Sequence, residues 1–397
     1  MRLGAKLGFS HQLIEDDRFF GDTITLDGHK LVNFGLCSYL GLADDPRLVE
    51  AAIGALNRYG SAYSSSIAYT ALPMYGELKE RLAVMVAAPV VIAGTTTLAH
   101  MAALPILIRP DDLVLIDSFA HASLDFVLPT LRAKGAEVQR VPHNDLARVA
   151  DLTESTHRRV WYLIDGLYSM HGDTALAEDL RDLMDSERRL WVYCDDAHGF
   201  GWAGVRGEGQ HLARTGWHER LVMSFGLSKS FGALGGVVAA QDPDLIETIG
   251  ITGGPLVFGG PLPPASLAAG IASADIHLST ELAVLQADLD ERIEVVNDLG
   301  AALGLPLASF EHTPMWFLEL GQTMTTASVV ATMITRGFYV NAAVHPVVRR
   351  GKAGVRFTVT RYTSLSQIAD MIHTLYAAWL SHGDGDGVVD LTALEDH

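Results

Sequence analysis

Between about residue 85 and residue 240, short apolar runs rich in β-branched residues alternate with stretches of helical periodicity. The runs Leu113–Ile116, Glu137–Val141, Val160–Ile164, Trp191–Tyr193 and Leu221–Met223 each predict a buried strand. That alternation predicts an α/β fold, a mostly parallel sheet covered by helices. Several runs end in polar clusters: Asp117-Ser118 with His121, Asp165-Gly166, Asp195-Asp196, and Ser224 leading to Lys229. Because open α/β sheets bind ligands at the carboxyl ends of their strands, these clusters are expected to converge on one site.

A break at Pro261-Leu262-Pro263-Pro264 is followed by a long helical pattern over Ser279–Leu303, which reads as a connector. Beyond it the periodicities predict a smaller α/β unit. Its strands fall at Met315–Leu320, Phe338–Asn341 and Val355–Thr360, and its helices at Thr326–Arg336 and Ser366–Leu380. The expected division is an N-terminal arm over 1–45, a large domain over 46–278, a small C-terminal domain over 279–380, and a Gly/Asp-rich acidic tail over 381–397, expected to be disordered.

Composition narrows the class. Of 397 residues, 49% are hydrophobic and 19% charged, the profile of a folded soluble protein. The two cysteines, Cys37 and Cys194, show no metal-ligand or redox spacing, so neither a disulfide framework nor a metal site is expected, and a reducing cytoplasm fits. The opening residues lack an apolar signal core, and no window is apolar for the ~20 residues a membrane helix needs. With a net charge of −18 and no dense Lys/Arg stripe, nucleic acid is not an expected partner. The local basic cluster Arg349-Arg350 with Lys352 reads either as a solvated loop or as a landing place for an anionic substrate such as coenzyme A or an acidic carrier protein.

Four elements carry candidate chemistry. Lys229 lies in a small-residue loop after a strand; alone it is an exposed loop lysine, but a desolvated amine there can condense with an aldehyde. Asp195 ends a buried strand, with Asp196 and His198 beside it. A carboxylate at that place can keep a pyridine nitrogen protonated, or can cap a helix. His121 can stack on a ring or be structural. Gly94-Thr95-Thr96-Thr97 opens a helical run, either as a plain N-cap or as a phosphate site. Phosphate loop, histidine, strand-end aspartate and lysine in this order point jointly to pyridoxal 5′-phosphate (PLP).

In these motifs the chain resembles the α-oxoamine synthase family of fold-type I PLP enzymes, from about Gly28 to Leu380. The likeness is carried by Ser38-Tyr39-Leu40-Gly41-Leu42, Asp117 to Ser123, Asp165 to Asp173, Asp195 to Gly199, Ser224 to Gly236, Leu262-Pro263-Pro264-Ala265 and Arg356. The resemblance implies a homodimer with shared active sites, using an amino acid and an acyl thioester carried by coenzyme A or an acyl carrier protein. It implies that Lys229 holds the cofactor as a Schiff base and moves the α-proton, Asp195 pairs with the ring nitrogen and His121 stacks on the ring. His198 and Ser169 would bond the phenolic oxygen, and Arg356 would hold the substrate carboxylate. The chain departs from the family pattern at Ser38, where an asparagine is usual, at Ser64-Ser65-Ser66 in place of Gly-Ser-Arg, and at Tyr75 in place of histidine. Two phosphate-binding hydroxyls are also lost, at Gly226 and at the Gly259-Gly260 pair, leaving Thr95, Thr96 or Ser228 to compensate.

The leading expectation is a PLP-dependent acyltransferase that condenses an amino acid with an acyl thioester, usually with decarboxylation, to an α-amino ketone. The alternatives are an aminotransferase, an aldolase-type or retro-Claisen lyase on the same fold, and a non-catalytic scaffold.

Overall fold

The computed structural model describes residues 9–382. The first eight residues and the greater part of the acidic tail lie outside them. Two short strands, β1 (Thr23–Leu26) and β2 (His29–Asn33), are followed by β3 (Val90–Ala93), β4 (Leu113–Asp117), β5 (Glu137–Val141), β6 (Val160–Asp165) and β7 (Leu190–Asp195). Then come β8 (Leu221–Gly226), β9 (Gly236–Ala240), β10 (Met315–Gly321), β11 (Phe338–Tyr339), β12 (Asn341–Ala343) and β13 (Ala353–Thr358). The chain forms two compact units. Among the described residues, one holds 9–39, Met170–Asp173 and 287–382; the other holds Leu40–Ser169 and Thr174–Gln286.

The larger unit is built on a seven-stranded sheet in the order β3-β9-β8-β7-β6-β4-β5. Strands β4, β6, β7 and β8 run parallel to one another, and every residue of β4, β6 and β8 is buried. Burial on both faces is why these segments read as continuous apolar runs rather than alternating ones. Alternate side chains enter opposite cores: Tyr162 and Ile164 of β6 go to one, Trp161 and Leu163 to the other. At the edge, β5 exposes Glu137 and Arg140, charges that discourage further strand pairing.

Strand β9 was not legible in the sequence. It runs antiparallel to both β3 and β8, so that its first residue, Gly236, pairs with Ala93 and Gly226, near or at the ends of those strands. One edge of the sheet therefore collects the carboxyl ends of β3, β4, β6, β7 and β8 together with the start of β9. Close packing there demands glycine. A Cβ at Gly236 would stand 2.4 Å from the Thr95 carbonyl carbon and 2.5 Å from the Thr96 nitrogen, so only a bare backbone can begin β9 against the helix Thr96–Leu107.

The smaller unit contains two three-stranded sheets, β1-β2-β11 and β10-β13-β12. The N-terminal segment thus pairs into this unit instead of standing apart as an arm: Val32 N–H donates to Gly337 O at 2.8 Å, and β11 supplies β2 with a parallel partner. The expected single strand Phe338–Asn341 is broken at buried Val340, because β11 pairs with β2 whereas β12 pairs with β13. The division between units falls inside the helix Glu281–Leu303, later than the sequence placed it. The reason is local bonding. Gln286 Nε2 donates to the carbonyls of Trp202 and Gly204, whereas Asp288 accepts from Arg361 and Arg292 donates to Thr363 O.

Among the described residues, no helix is long and apolar enough to cross a membrane, and neither Cys37 nor Cys194 forms a disulfide.

Leu163, fully buried in β6, tests the two-faced sheet. Leu163→Ala is expected to cost about 2–5 kcal/mol in urea unfolding followed by circular dichroism. A loss below about 1 kcal/mol would mean that this face of β6 is not packed as described.

Candidate active site

One pocket opens at the collected strand ends of the larger unit, lined by Thr95–Thr97, His121, Asp165, Asp195, His198, Ser228 and Lys229 among others. Seven of the residues singled out from sequence (Thr95, Thr96, His121, Asp195, His198, Ser228 and Lys229) are brought together here. Ser169 belongs to the same unit but not to this lining; it is half-buried on the loop after β6. Ser38 and Arg356 belong to the smaller unit. There Arg356, on β13, directs Nη2 toward Cys37 Sγ at 3.7 Å and Met315 Sδ at 3.9 Å. Lys352 of the basic cluster is paired with Glu319 at 2.6 Å.

Each wall follows from local structure. Thr95 caps the helix Thr96–Leu107, its Oγ1 accepting the Leu98 N–H at 3.2 Å. The first N–H groups of that helix have no intrahelical acceptor and favour an anion. Gly226 faces this point: a Cβ there would lie 3.0 Å from Thr96 Oγ1 and 3.1 Å from Ala197 Cβ. The threonine hydroxyl occupies space that a side chain at 226 would need.

His121 follows β4, on a loop tied down by Asp117. The Asp117 carboxylate accepts N–H groups of Phe119 and Asn144, the Tyr162 hydroxyl and His143 Nδ1, and although burial raises it, His143 and the N–H groups of Phe119 and Asn144 hold it below the ordinary carboxylate range. His121 N–H donates to Asp165 Oδ1 at 3.0 Å, while its Nδ1 lies 2.7 Å from Ser123 Oγ and accepts the Ser123 N–H. The residue keeps exposed surface, yet desolvation lowers its pKa below 6.5, which favours the neutral form.

Asp195 and Asp165 end adjacent strands in register. Burial by itself would raise both. At Asp195 the nearby His100, Lys229 and His121 outweigh it and lower the carboxyl; at Asp165 burial and the charge of Asp195 push it well above the ordinary range. Asp195 Oδ1 accepts the Ala197 N–H at 3.1 Å, and Oδ2 lies 3.0 Å from His100 Nε2. His100 and Asp165 were not identified as functional from sequence. His100 sits inside an apolar helix with no local signal, whereas Asp165 stood in view as a strand-end carboxylate. Asp196 turns away from the pocket and accepts the His211 N–H at 3.0 Å, and burial raises it to about 7.

Comparison with known proteins gives this geometry its family. A profile described as aminotransferase class I and II matches residues 29–372. The 8-amino-7-oxononanoate synthase of Maricaulis maris is 31% identical over 360 residues, covering 89% of this chain and 88% of that protein. The serine palmitoyltransferase of Bacteriovorax stolpii is 29% identical over 356 residues, covering 88% and 82%. A solved serine palmitoyltransferase from S. paucimobilis, with PLP and myriocin bound, shares the fold at a TM-score of 0.88 and 20% identity over 96% of each chain. From the extent of the profile and the identity with the synthases, the chain belongs to the aminotransferase class I and II family and, within it, to the α-oxoamine synthases.

Proposed function

We propose that the pocket holds PLP and that the protein condenses an amino acid with an acyl thioester, with loss of carbon dioxide, to an α-amino ketone. The observation that carries this reading is that Lys229, Asp195, His121 and the helix start Thr95–Thr97 line one pocket together. These residues fit the group: a primary amine for its aldehyde, an ionised carboxylate for its ring nitrogen, an imidazole face for its ring, and free N–H groups with threonine hydroxyls for its phosphate. When bound, PLP supplies an electron-poor ring that absorbs the electron pair left at a substrate α-carbon.

The chain's own residues do the remainder. Lys229 Nζ would hold the cofactor covalently and, once freed by the incoming amino acid, take and return the α-proton. Asp195 would keep the ring nitrogen protonated; His121, neutral by burial, would cover the ring and exclude water. His198 in the lining and Ser169 on the loop after β6 are the candidates to bond the phenolic oxygen. Arg356 is proposed to fork the substrate carboxylate, a geometry for which guanidinium is suited. The 31% identity with an 8-amino-7-oxononanoate synthase and the 29% identity with a serine palmitoyltransferase support a thioester co-substrate. We further propose a cytoplasmic homodimer, with Tyr69, Val205 and Phe258, which expose 86%, 88% and 89% of their surface, as candidates for coverage by a second copy.

The decisive experiment is mass spectrometry of products from purified protein offered a panel of amino acids with coenzyme A or carrier-protein thioesters. An α-amino ketone with release of free thiol supports the reading. A keto acid formed without thioester consumption would make the protein an aminotransferase instead.

Purified protein with PLP is expected to be yellow, and borohydride should fix the label on Lys229; a label on any other residue, or none with PLP in excess, overturns the assignment. Thr95→Ala and Thr96→Ala, singly and together, should weaken PLP binding by about tenfold for each charge-assisted hydrogen bond lost, with circular dichroism unchanged. Should both variants retain parental affinity, the phosphate is anchored elsewhere, with Ser228 the next residue to substitute.

A further inference from the structure

His100 lies in the second turn of the helix Thr96–Leu107 and is fully buried. Its Nδ1 is 2.9 Å from the Tyr193 hydroxyl and its Nε2 is 3.0 Å from Asp195 Oδ2. Tyr193 and Asp195 are two apart on β7, so both side chains leave the same face of the strand, toward the ring of His100. A carboxylate only accepts hydrogen bonds, and a phenol can donate one. Both contacts are therefore satisfied by a single ring proton on Nε2: Tyr193 O–H donates to Nδ1, and Nε2–H donates to Asp195.

What this chain of bonds decides becomes clear from Asp165. It is buried, pairs in register with Asp195 across β6 and β7, and lines the same pocket. Two carboxyls so placed in a dry sheet end cannot both ionise cheaply, and whichever has the better donors keeps the charge. Asp165 accepts the backbone N–H of His121. Asp195 accepts the Ala197 N–H and, in addition, a hydrogen bond from the imidazole of His100, while the charge of Lys229 acts on both carboxyls.

We propose that His100 is a positioning residue that selects Asp195, rather than Asp165, as the charged carboxylate presented to the ring nitrogen of PLP, and holds its plane through Oδ2. The inference rests on the function proposed above and deepens it. The opposed directions of the pair agree with it: Asp165 is pushed up by burial and by Asp195, whereas at Asp195 the hydrogen bond from His100 is among the interactions that offset burial.

The test compares the parent, His100→Gln and His100→Leu as full-length proteins titrated with PLP. Glutamine can place an N–H where Nε2–H stands, and leucine cannot. His100→Leu should raise the PLP dissociation constant about tenfold or more and shift the visible band of bound PLP, while His100→Gln stays within about threefold of the parent and keeps the band. Nitrogen-15 NMR of histidine-labelled parent should find the His100 ring protonated at Nε2 alone. Equal affinity and band position in all three proteins, glutamine failing as badly as leucine, or a proton on Nδ1 would each overturn the proposal. If His100→Leu does not fold, the glutamine variant and the NMR signal decide. If the parent binds no PLP at all, the functional reading falls, and the ring-proton measurement still decides whether His100 donates to Asp195.

Discussion

A carboxylate in the dry end of a parallel sheet is unstable unless donors surround it, and the larger unit is organised around meeting that demand at Asp195. The Ala197 N–H comes from the turn that follows the strand itself, but the other groups arrive from far away in sequence. His100 comes from the helix after β3, 95 residues away, and Lys229 from the loop after β8. Removing any of these neighbours would leave a charge that the sheet end cannot hydrate. The same arrangement draws Asp165 into a supporting part: it steadies the His121 backbone while the ionic role stays with its neighbour on β7.

Sheet topology makes this convergence possible. The chain passes from β4 out to the edge strand β5 and returns to β6 on the other side of β4, so the loop carrying His121 and the strand end at Asp165 flank a reversal of winding. That is where open α/β sheets leave a crevice. On the far side, antiparallel β9 brings Gly236 against the start of the helix Thr96–Leu107, closing the crevice around Thr95 and Thr96. Asp117 anchors one wall through four different donors, and the bare backbone of Gly236 permits the other.

Departures from the family pattern become coherent in three dimensions. The chain lacks a hydroxyl at Gly226, and Thr96 Oγ1 lies beside that position, close enough that a side chain at both places would crowd. Tyr75, where histidine is usual, has its hydroxyl 2.6 Å from Leu262 N and accepts that N–H, fastening the Leu262-Pro263-Pro264 segment to the helix Met74–Val86.

The class of fold, the central strands and the residues at or just beyond their ends could be read along the chain alone. Those follow from rules of short range: burial on both faces makes β4, β6 and the first half of β8 continuously apolar, and an aspartate ends β4 and β6. Asp195, His121 and Lys229 were legible because each stands at such a stop. Strand β9 was not, since Gly-Gly-Val-Val-Ala-Ala reads as a small-residue loop until β3 and β8 offer it hydrogen-bonding partners on both sides. Nor was the pairing of the N-terminal segment with β11, or the break at Val340, because β11 takes its partner from β2 near the start of the chain whereas β12 takes its own from the nearby β13. His100 is the clearest case: within its helix it is one polar residue in an apolar stretch, and only the packing of that helix over Tyr193 and Asp195 gives its two nitrogens their partners. Periodicity is a property of the local chain and can be read along it; which buried polar group meets which is decided by the order of strands in the sheet, and that order exists only once the chain has folded.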